Sequence, residues 1–276
     1  MLKRVLAAAA VLLATAGCTP QPGDSSSAPE ATQRPSASAS ASVAPRQLVV
    51  GECTGPLDSA VSGTTPIDPV DCEQEHAWEV YSVVALSGDT MPSANTLRAI
   101  ANNRCLPAFE EFVGVEPAYS RYSSVFLAPD EVGWAEPALR RVTCLLGSPD
   151  GGLSGTARDD SRLFPEVGEC TGPQDVPLLE LDVVSCKKEH HYEVYAEKLI
   201  KSAKAPSAAQ LTKLVNEVCV TGFRKFVGVA AARSKYEFSY FIADSSLWRK
   251  VTDHRLVCSV GSPKGGIKGS LKDAKA

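Results

Sequence analysis

Two histidines stand at matched places in this chain, each with a cysteine and a glutamate at fixed spacing. Cys72-Glu73-Gln74-Glu75-His76-Ala77-Trp78-Glu79-Val80-Tyr81 returns as Cys186-Lys187-Lys188-Glu189-His190-His191-Tyr192-Glu193-Val194-Tyr195. Thiolate, imidazole and carboxylate are zinc ligands, so zinc is the chemistry these residue types raise first. Three points weigh against it. The chain has no short Cys-x-x-Cys pair, and cysteines in an exported chain are better explained as bridges. Residues three apart in a strand also point to opposite faces, which would keep His76 away from Glu79. No metal and no other cofactor is expected. The competing reading is structural: each imidazole sits at a strand entrance and bonds backbone or a carboxylate, with Glu75, Glu79, Glu189 and Glu193 as candidate partners.

Catalytic motifs are scarce. There is no Gly-x-Ser-x-Gly and no His-Glu-x-x-His. Ser185-Cys186-Lys187-Lys188 spells Ser-x-x-Lys, but the matching positions in the first copy are Asp71 and Gln74, and no Lys-Thr-Gly follows. The Gly-Ser-Pro-x-Gly-Gly runs lack the Lys-Ser/Thr of a phosphate loop. Trp134 and Trp248 read as core or sheet-edge anchors before ligand platforms.

The elements around these residues repeat with them. Val50-Gly51-Glu52-Cys53-Thr54-Gly55-Pro56 recurs from Val167 to Pro173, Phe112-Val113-Gly114-Val115 from Phe226 to Val229, and Trp134 as Trp248. A constant offset of 114 residues runs from Cys72 and Cys186 onward, which marks a duplicated domain rather than a solenoid. The boundaries read as 47–160 and 161–276. Within a unit, Ala77 to Leu86 and Tyr192 to Ala196 read as strands. Ser93 and Ser207 read as helix N-caps and Gly114 and Gly228 as C-caps. Apolar residues from Leu97 to Phe112, and from Leu211 to Phe226, recur at helical spacing. Pro107 should break or kink the first helix, giving a helix pair. Val125 to Leu127 with Arg141 to Leu146, and Ser239 to Ile242 with Arg255 to Val260, read as the remaining strands, and a short strand near Cys53 is compatible. Gly147 to Pro165 reads as a linker or, because its start recurs at Gly261 to Gly269, as a part of each unit. The fold class is α+β: two tandem disulfide-bonded units, each a small, mainly antiparallel sheet with helices on one face.

The first 46 residues read as address rather than fold. Lys3 and Arg4 precede an apolar run from Val5 to Ala14, too short to span a bilayer. Thr15-Ala16-Gly17 then lead to Cys18, as in a bacterial lipoprotein signal peptide (1–17) cleaved before a lipid-bearing cysteine. Two or more acyl chains on Cys18 would hold the protein stably at the membrane. Residues 18–46, rich in Ser, Ala and Pro, read as a disordered tether with a reach of roughly 30 Å. The expected place is the extracytoplasmic face of the cell membrane. Of nine cysteines, eight remain after Cys18, four per copy at matching positions, an even set that reads as disulfides. Four cysteines allow three pairings. The favoured one is Cys53–Cys72 with Cys105–Cys144, and Cys170–Cys186 with Cys219–Cys258.

Charge separates the copies. Residues 47–160 carry 6 Arg, no Lys and 17 acidic residues, whereas 161–276 carry 18 basic and 13 acidic residues. Such asymmetry speaks of partners, not of fold. Beside plain drift of solvated surfaces, the basic copy would face anionic lipid headgroups or an anionic envelope polymer, or dock on the acidic copy. An unidentified envelope protein is a further expected partner; nucleic acid is not expected.

These residues resemble a known family. Val50-Gly51-Glu52-Cys53, Val70-Asp71-Cys72 with His76 and Glu79-Val80, then Cys105, Trp134 and Cys144 are similar to the actinobacterial septum-formation domain. The second copy matches through Val167 to Cys170, Val184 to Cys186, His190, Glu193-Val194, Cys219, Trp248 and Cys258. The Gly-Asp-Arg turn expected after the tryptophan is replaced by Pro137-Ala138-Leu139 and Val251-Thr252-Asp253. The resemblance implies an envelope protein linked to cell division, with no reaction attached. The expected function is a lipid-anchored binding or scaffold protein. A wall-active, peptidoglycan-modifying enzyme and a purely structural spacer are the alternatives.

Overall fold

The structure, a computed structural model, describes residues 47–58, 61–63, 65–174 and 181–276. The expected signal peptide, Cys18 and the tether lie outside the described residues.

Each copy is built on one antiparallel sheet. In the first, β1 (Cys53–Thr54), β2 (Trp78–Ala85), β3 (Ser123–Leu127) and β4 (Arg141–Gly147) lie in the order β1-β2-β4-β3. In the second, β5 (Cys170–Thr171), β6 (Val183–Val184), β7 (Tyr192–Leu199), β8 (Glu237–Phe241) and β9 (Arg255–Gly261) lie in the order β6-β5-β7-β9-β8. The extra strand β6 has its counterpart in a single bridge between Val70 and Cys53. The two-unit, disulfide-bonded α+β architecture expected from the sequence is the one observed.

The central strands β4 and β9 are buried almost throughout, because both faces of each sheet are covered. In copy 1 the helix side gathers Tyr81, Phe109, Phe112, Val142 and Leu146, while the other side gathers Leu48, Trp78, Val80 and Leu145. In copy 2 the corresponding groups are Tyr195, Phe223 and Leu256, and Phe164, Val194, Trp248 and Val257. The register of β2 on β4 shifts between Val80 and Ser82, and that of β7 on β9 between Val194 and Ala196. The residues at these bulges are the motif tyrosines Tyr81 and Tyr195. Their rings meet Phe109 and Phe223 edge-on, with centroids 5.5 and 6.1 Å apart.

The helices correct one expectation. In copy 1 a single helix, α1 (Ala94–Val113), runs unbroken through Pro107. Burial of the stripe Leu97, Ala101, Cys105, Phe109 and Phe112, with a disulfide from Cys105 to Cys144 in β4, outweighs a local proline cost of about 3 kcal/mol. Among its described residues copy 1 adds a one-turn helix, α2 (Glu131–Trp134), and 3₁₀ turns at Pro117–Tyr119 and Pro137–Leu139. The divided helix occurs in copy 2, which has Thr221 at the proline position. There α3 (Ala208–Val215) and α4 (Thr221–Val227) are joined by a π-helical turn at Asn216–Val220, and Thr221 Oγ1 donates to Asn216 O at 3.1 Å. The caps are as expected: Ser93 and Ser207 accept from Thr96 N and Gln210 N, and Gly114 and Gly228 both take φ of 89°.

Gly147 to Asp160 is no linker. This tail returns along its own copy: His76 and Leu153 exchange backbone hydrogen bonds, Gly155 N donates to Cys72 O, and Asp159 N donates to Phe112 O. Gly261 to Lys275 does the same in copy 2, through His190 with Ile267, Gly269 with Cys186 and Asp273 with Phe226. The segment after the first tail then belongs to copy 2, where Asp253 Oδ2 accepts from both Leu163 N and Phe164 N and Arg255 donates to Phe164 O. Arg141 makes the matching bond to Leu48 O in copy 1.

The copies dock on each other. Val183 packs into the core of copy 1, and Ser148 Oγ donates to Val183 O at 2.6 Å. The backbone of Gly152 approaches Val184 so closely that a Cβ there would lie 2.4 Å from the Val184 carbonyl carbon. Lys188 Nζ donates to Asp150 O, Lys187 pairs with Glu75, and the Arg121 guanidinium meets both oxygens of Glu169 at 2.5 and 2.6 Å. The Arg121 side chain is only 3 % exposed, and its charge survives burial because Glu169 outweighs the desolvation penalty.

Candidate functional site

The polar atoms of the repeated motif are taken up inside the fold. Glu79 enters β2 buried, with Oε1 accepting from Thr156 Oγ1 and Oε2 from Ala157 N, both at 2.6 Å. Glu193 does the same with Ser270 Oγ at 2.7 Å and Leu271 N at 2.6 Å. Each glutamate therefore fastens the returning tail of its own copy. The sequence carried a faint sign of these partners, since Gly155-Thr156 and Gly269-Ser270 occupy matched positions.

The histidines bond backbone, not carboxylate. His76 Nδ1 lies 2.9 Å from Gln74 O and His190 Nδ1 lies 3.1 Å from Lys188 O. A carbonyl only accepts, so Nδ1 is the donor in each ring and Nε2 takes no part in this bond. In copy 2 that Nε2 is buried without a hydrogen-bond partner.

The opposite-face rule does not apply to His76. His76 precedes the strand, in a bridge to Leu153, so strand alternation does not govern it. His76 and Glu79 instead line one polar cavity of about 10 Å³, together with Arg121, Tyr122, Glu166 and Glu169. That is room for roughly one water molecule. Burial pushes the Tyr122 hydroxyl far up, and the neighbouring Asp160 carboxylate, to which it donates, adds to this. Burial alone would raise Asp160, but hydrogen bonds from Arg162 and Tyr122 and the Arg121 charge hold it below the usual range.

Cys53 Sγ, Cys72 Sγ and a Glu79 oxygen come within 4.8 Å of one another, yet the two sulfurs are bonded to each other and offer no thiolate. The other bridges are Cys105–Cys144, Cys170–Cys186 and Cys219–Cys258. Each copy thus has one bridge closing a short loop beside the motif and one tying helix to central strand.

The tryptophans are buried, Trp134 at 5 % and Trp248 at 2 % exposure. Each is gripped by the residue six positions on. Arg140 Nε donates to Trp134 O while its guanidinium lies 5.2 Å from the ring centroid. His254 Nε2 bonds Trp248 O while its ring stacks on the indole at 4.1 Å. This places both tryptophans as anchors under the loop that carries the unexpected Pro137-Ala138-Leu139 and Val251-Thr252-Asp253.

Two open clefts lie elsewhere, among the described residues of copy 2. One of about 620 Å³ is lined by Ile200, Lys204, Pro206, Lys213, Leu214 and Glu217, within the size range of ligand sites. Its Glu217 carboxyl is held low by the hydrogen bond and charge of Lys198. A second, of about 400 Å³, lies by Tyr236, Phe238 and Pro263.

Fold and motif define the class: a tandem protein of two copies of one disulfide-bonded α+β domain, with the motif glutamate buried as a clasp. The chain belongs to the septum formation family, whose family model matches residues 15–119 and again 87–258. No curated protein matches the chain, and no solved structure does. Among the described residues, no helix is long and apolar enough to cross a membrane.

Proposed function

We propose that the chain is a lipid-anchored binding or scaffold protein on the extracytoplasmic face of the cell membrane, acting in septum formation without catalysing a reaction. One observation supports this above the others. The residues that recur in both copies are absorbed by the fold itself, as glutamate clasps, backbone-bonded imidazoles and paired sulfurs. What differs between the copies is surface charge, the property that selects partners. The basic second copy is the surface proposed to meet anionic headgroups or envelope polymer, and membrane attachment is assigned to acyl chains on Cys18.

Metabolic labelling with a fatty-acid analogue, on the wild-type chain and on Cys18→Ala, tests the anchor. Label and membrane fractionation should both vanish in the variant; persistence of both would remove the anchor. Depletion of the protein in its own cells should disturb septa, and normal septa would remove the divisional role. Turnover of purified peptidoglycan by the full chain would replace the binding reading with the enzymatic one.

A further inference from the structure

The contact between the copies is head-to-tail: the tail side of copy 1 sits on the β6 edge of copy 2. Such an interface is heterologous, so each molecule keeps one unused surface of either kind. Copy 2 still presents a tail side, and copy 1 still presents the edge. We infer that a second copy of this chain docks there, with the tail side of copy 2 on the edge of copy 1 in the next molecule.

Burial shows that both surfaces are uncovered. On the occupied edge, Val183, Val184 and Ser185 are buried, at 2, 9 and 3 % exposure. Their counterparts on copy 1 are Pro69, Val70 and Asp71, of which Val70 is 38 % exposed and Asp71 is exposed. On the occupied tail side, the Arg121 side chain is 3 % exposed and Ser148 is buried. The counterparts on copy 2 are an exposed Lys235 and a half-buried Ser262. A Cβ at Gly152 would strike Val184, whereas one at the matching Gly266 meets nothing within 4 Å.

Charge names the occupant. Across the internal contact Arg121 faces Glu169 and Lys250 lies over the Tyr119 ring at 5.9 Å. At the unused surfaces the same positions hold Lys235 opposite Glu52, and Arg233 opposite Glu136. Asp71 and Glu73 add further negative charge to the edge, and Lys264 adds positive charge to the tail side. One rim pair is like-signed, because Glu75 and Lys187 become Glu189 and Glu73. That internal pair is its most solvated member, with the lysine 83 % exposed, where charge matters least. The acidic and basic character of the two copies is thus the complementarity that an end-to-end array of whole molecules requires. The internal contact supplies its geometry.

The test uses the purified full-length chain in mild detergent, with a photoactivatable cross-linking residue replacing Arg233. Cross-links should join two copies and map to peptides around Glu136. Arg233→Glu with Lys235→Glu, read by a cross-linker placed at Lys264, should lower capture about tenfold. Mixing that variant with a chain carrying Glu136→Lys should restore capture. All these side chains are exposed, and unchanged unfolding midpoints will show that the variants stay folded. Absence of chain-to-chain capture would overturn the inference, as would capture indifferent to charge reversal or mapping outside the copy 1 edge. None of these readouts depends on lipid attachment or septal role, so this inference and the proposed function fail separately.

Discussion

Glu79 accepts the backbone N–H of Ala157 at 2.6 Å across 78 residues of chain, and Glu193 accepts that of Leu271 at 2.6 Å across the same 78. A buried carboxylate so placed closes each copy, because the tail it holds lies against both the motif turn and the helix end.

Glu79→Ala strands the Ala157 N–H and the Thr156 hydroxyl. The expected loss is about 2–3 kcal/mol, the cost of leaving buried polar groups unpaired. Glu79→Gln keeps the shape and should lose less. Urea unfolding of each variant checks this, and limited proteolysis near Gly155 should cut the alanine variant first. An unchanged midpoint for Glu79→Ala would remove the clasp from the list of stabilising contacts.

Acid should loosen the entry of copy 2 and the end of the copy 1 tail. Burial opposes ionisation of Asp253, but Arg255 and the N–H groups of Phe164 and Leu163 outweigh it and hold its carboxyl below the ordinary value. A carboxylate lowered by folding contributes stability that is complete above its unfolded pKa of about 4 and is lost as pH falls through the folded value. Asp160 works in the same direction. Stability of the wild-type chain should therefore fall below about pH 4. Asp253→Asn should be weaker at neutral pH and show a flatter acid limb in chemical unfolding measured across pH.

Gly152 and Gly266 make a matched pair of probes. Both hold positive φ, 87° and 79°, so alanine strains either backbone by roughly 1–2 kcal/mol. Only Gly152→Ala adds a collision with Val184 across the seam. It should therefore cost clearly more than Gly266→Ala, measured as the difference in thermal or urea unfolding. Equal losses would mean that the copies do not meet at this point.

The bridges should differ in worth with the loops they close. Replacing Cys219 and Cys258 by alanine opens a separation of 39 residues and should cost about 4 kcal/mol from chain entropy. Replacing Cys170 and Cys186 opens one of 16 and should cost about 3 kcal/mol. Unfolding under non-reducing conditions orders the two. Peptide mapping after alkylation should return the four pairs.

Much of the fold was legible because its signals are local and doubled. Ser93 with Gly114, and Ser207 with Gly228, bracket the helices by capping chemistry that needs no tertiary context. The cysteine spacings, seen twice, pointed to the pairing that the structure has. Where the reading failed, long-range packing decided. Pro107 sits in an unbroken helix because a buried stripe and the Cys105 bridge hold both sides of it. The supposed linker from Gly147 is a tail, since only the buried carboxylate of Glu79, far upstream, shows where it goes. His76 and Glu79 share a cavity because a bend at Ala77 resets the alternation on which the opposite-face rule depends. The seam between the copies left no periodic trace, and only the structure shows that Glu169 is met by Arg121.

Leu48 seals the back of copy 1 and is the second described residue after the expected tether. Any pull arriving from upstream would therefore reach the protein there first, lifting Leu48 and its Arg141 hydrogen bond like the free end of a tape. Five residues on, the pull would meet Cys53, stapled covalently to Cys72. Under load the loop between them would not pay out, because the bridge would carry the force straight from Cys53 to Cys72.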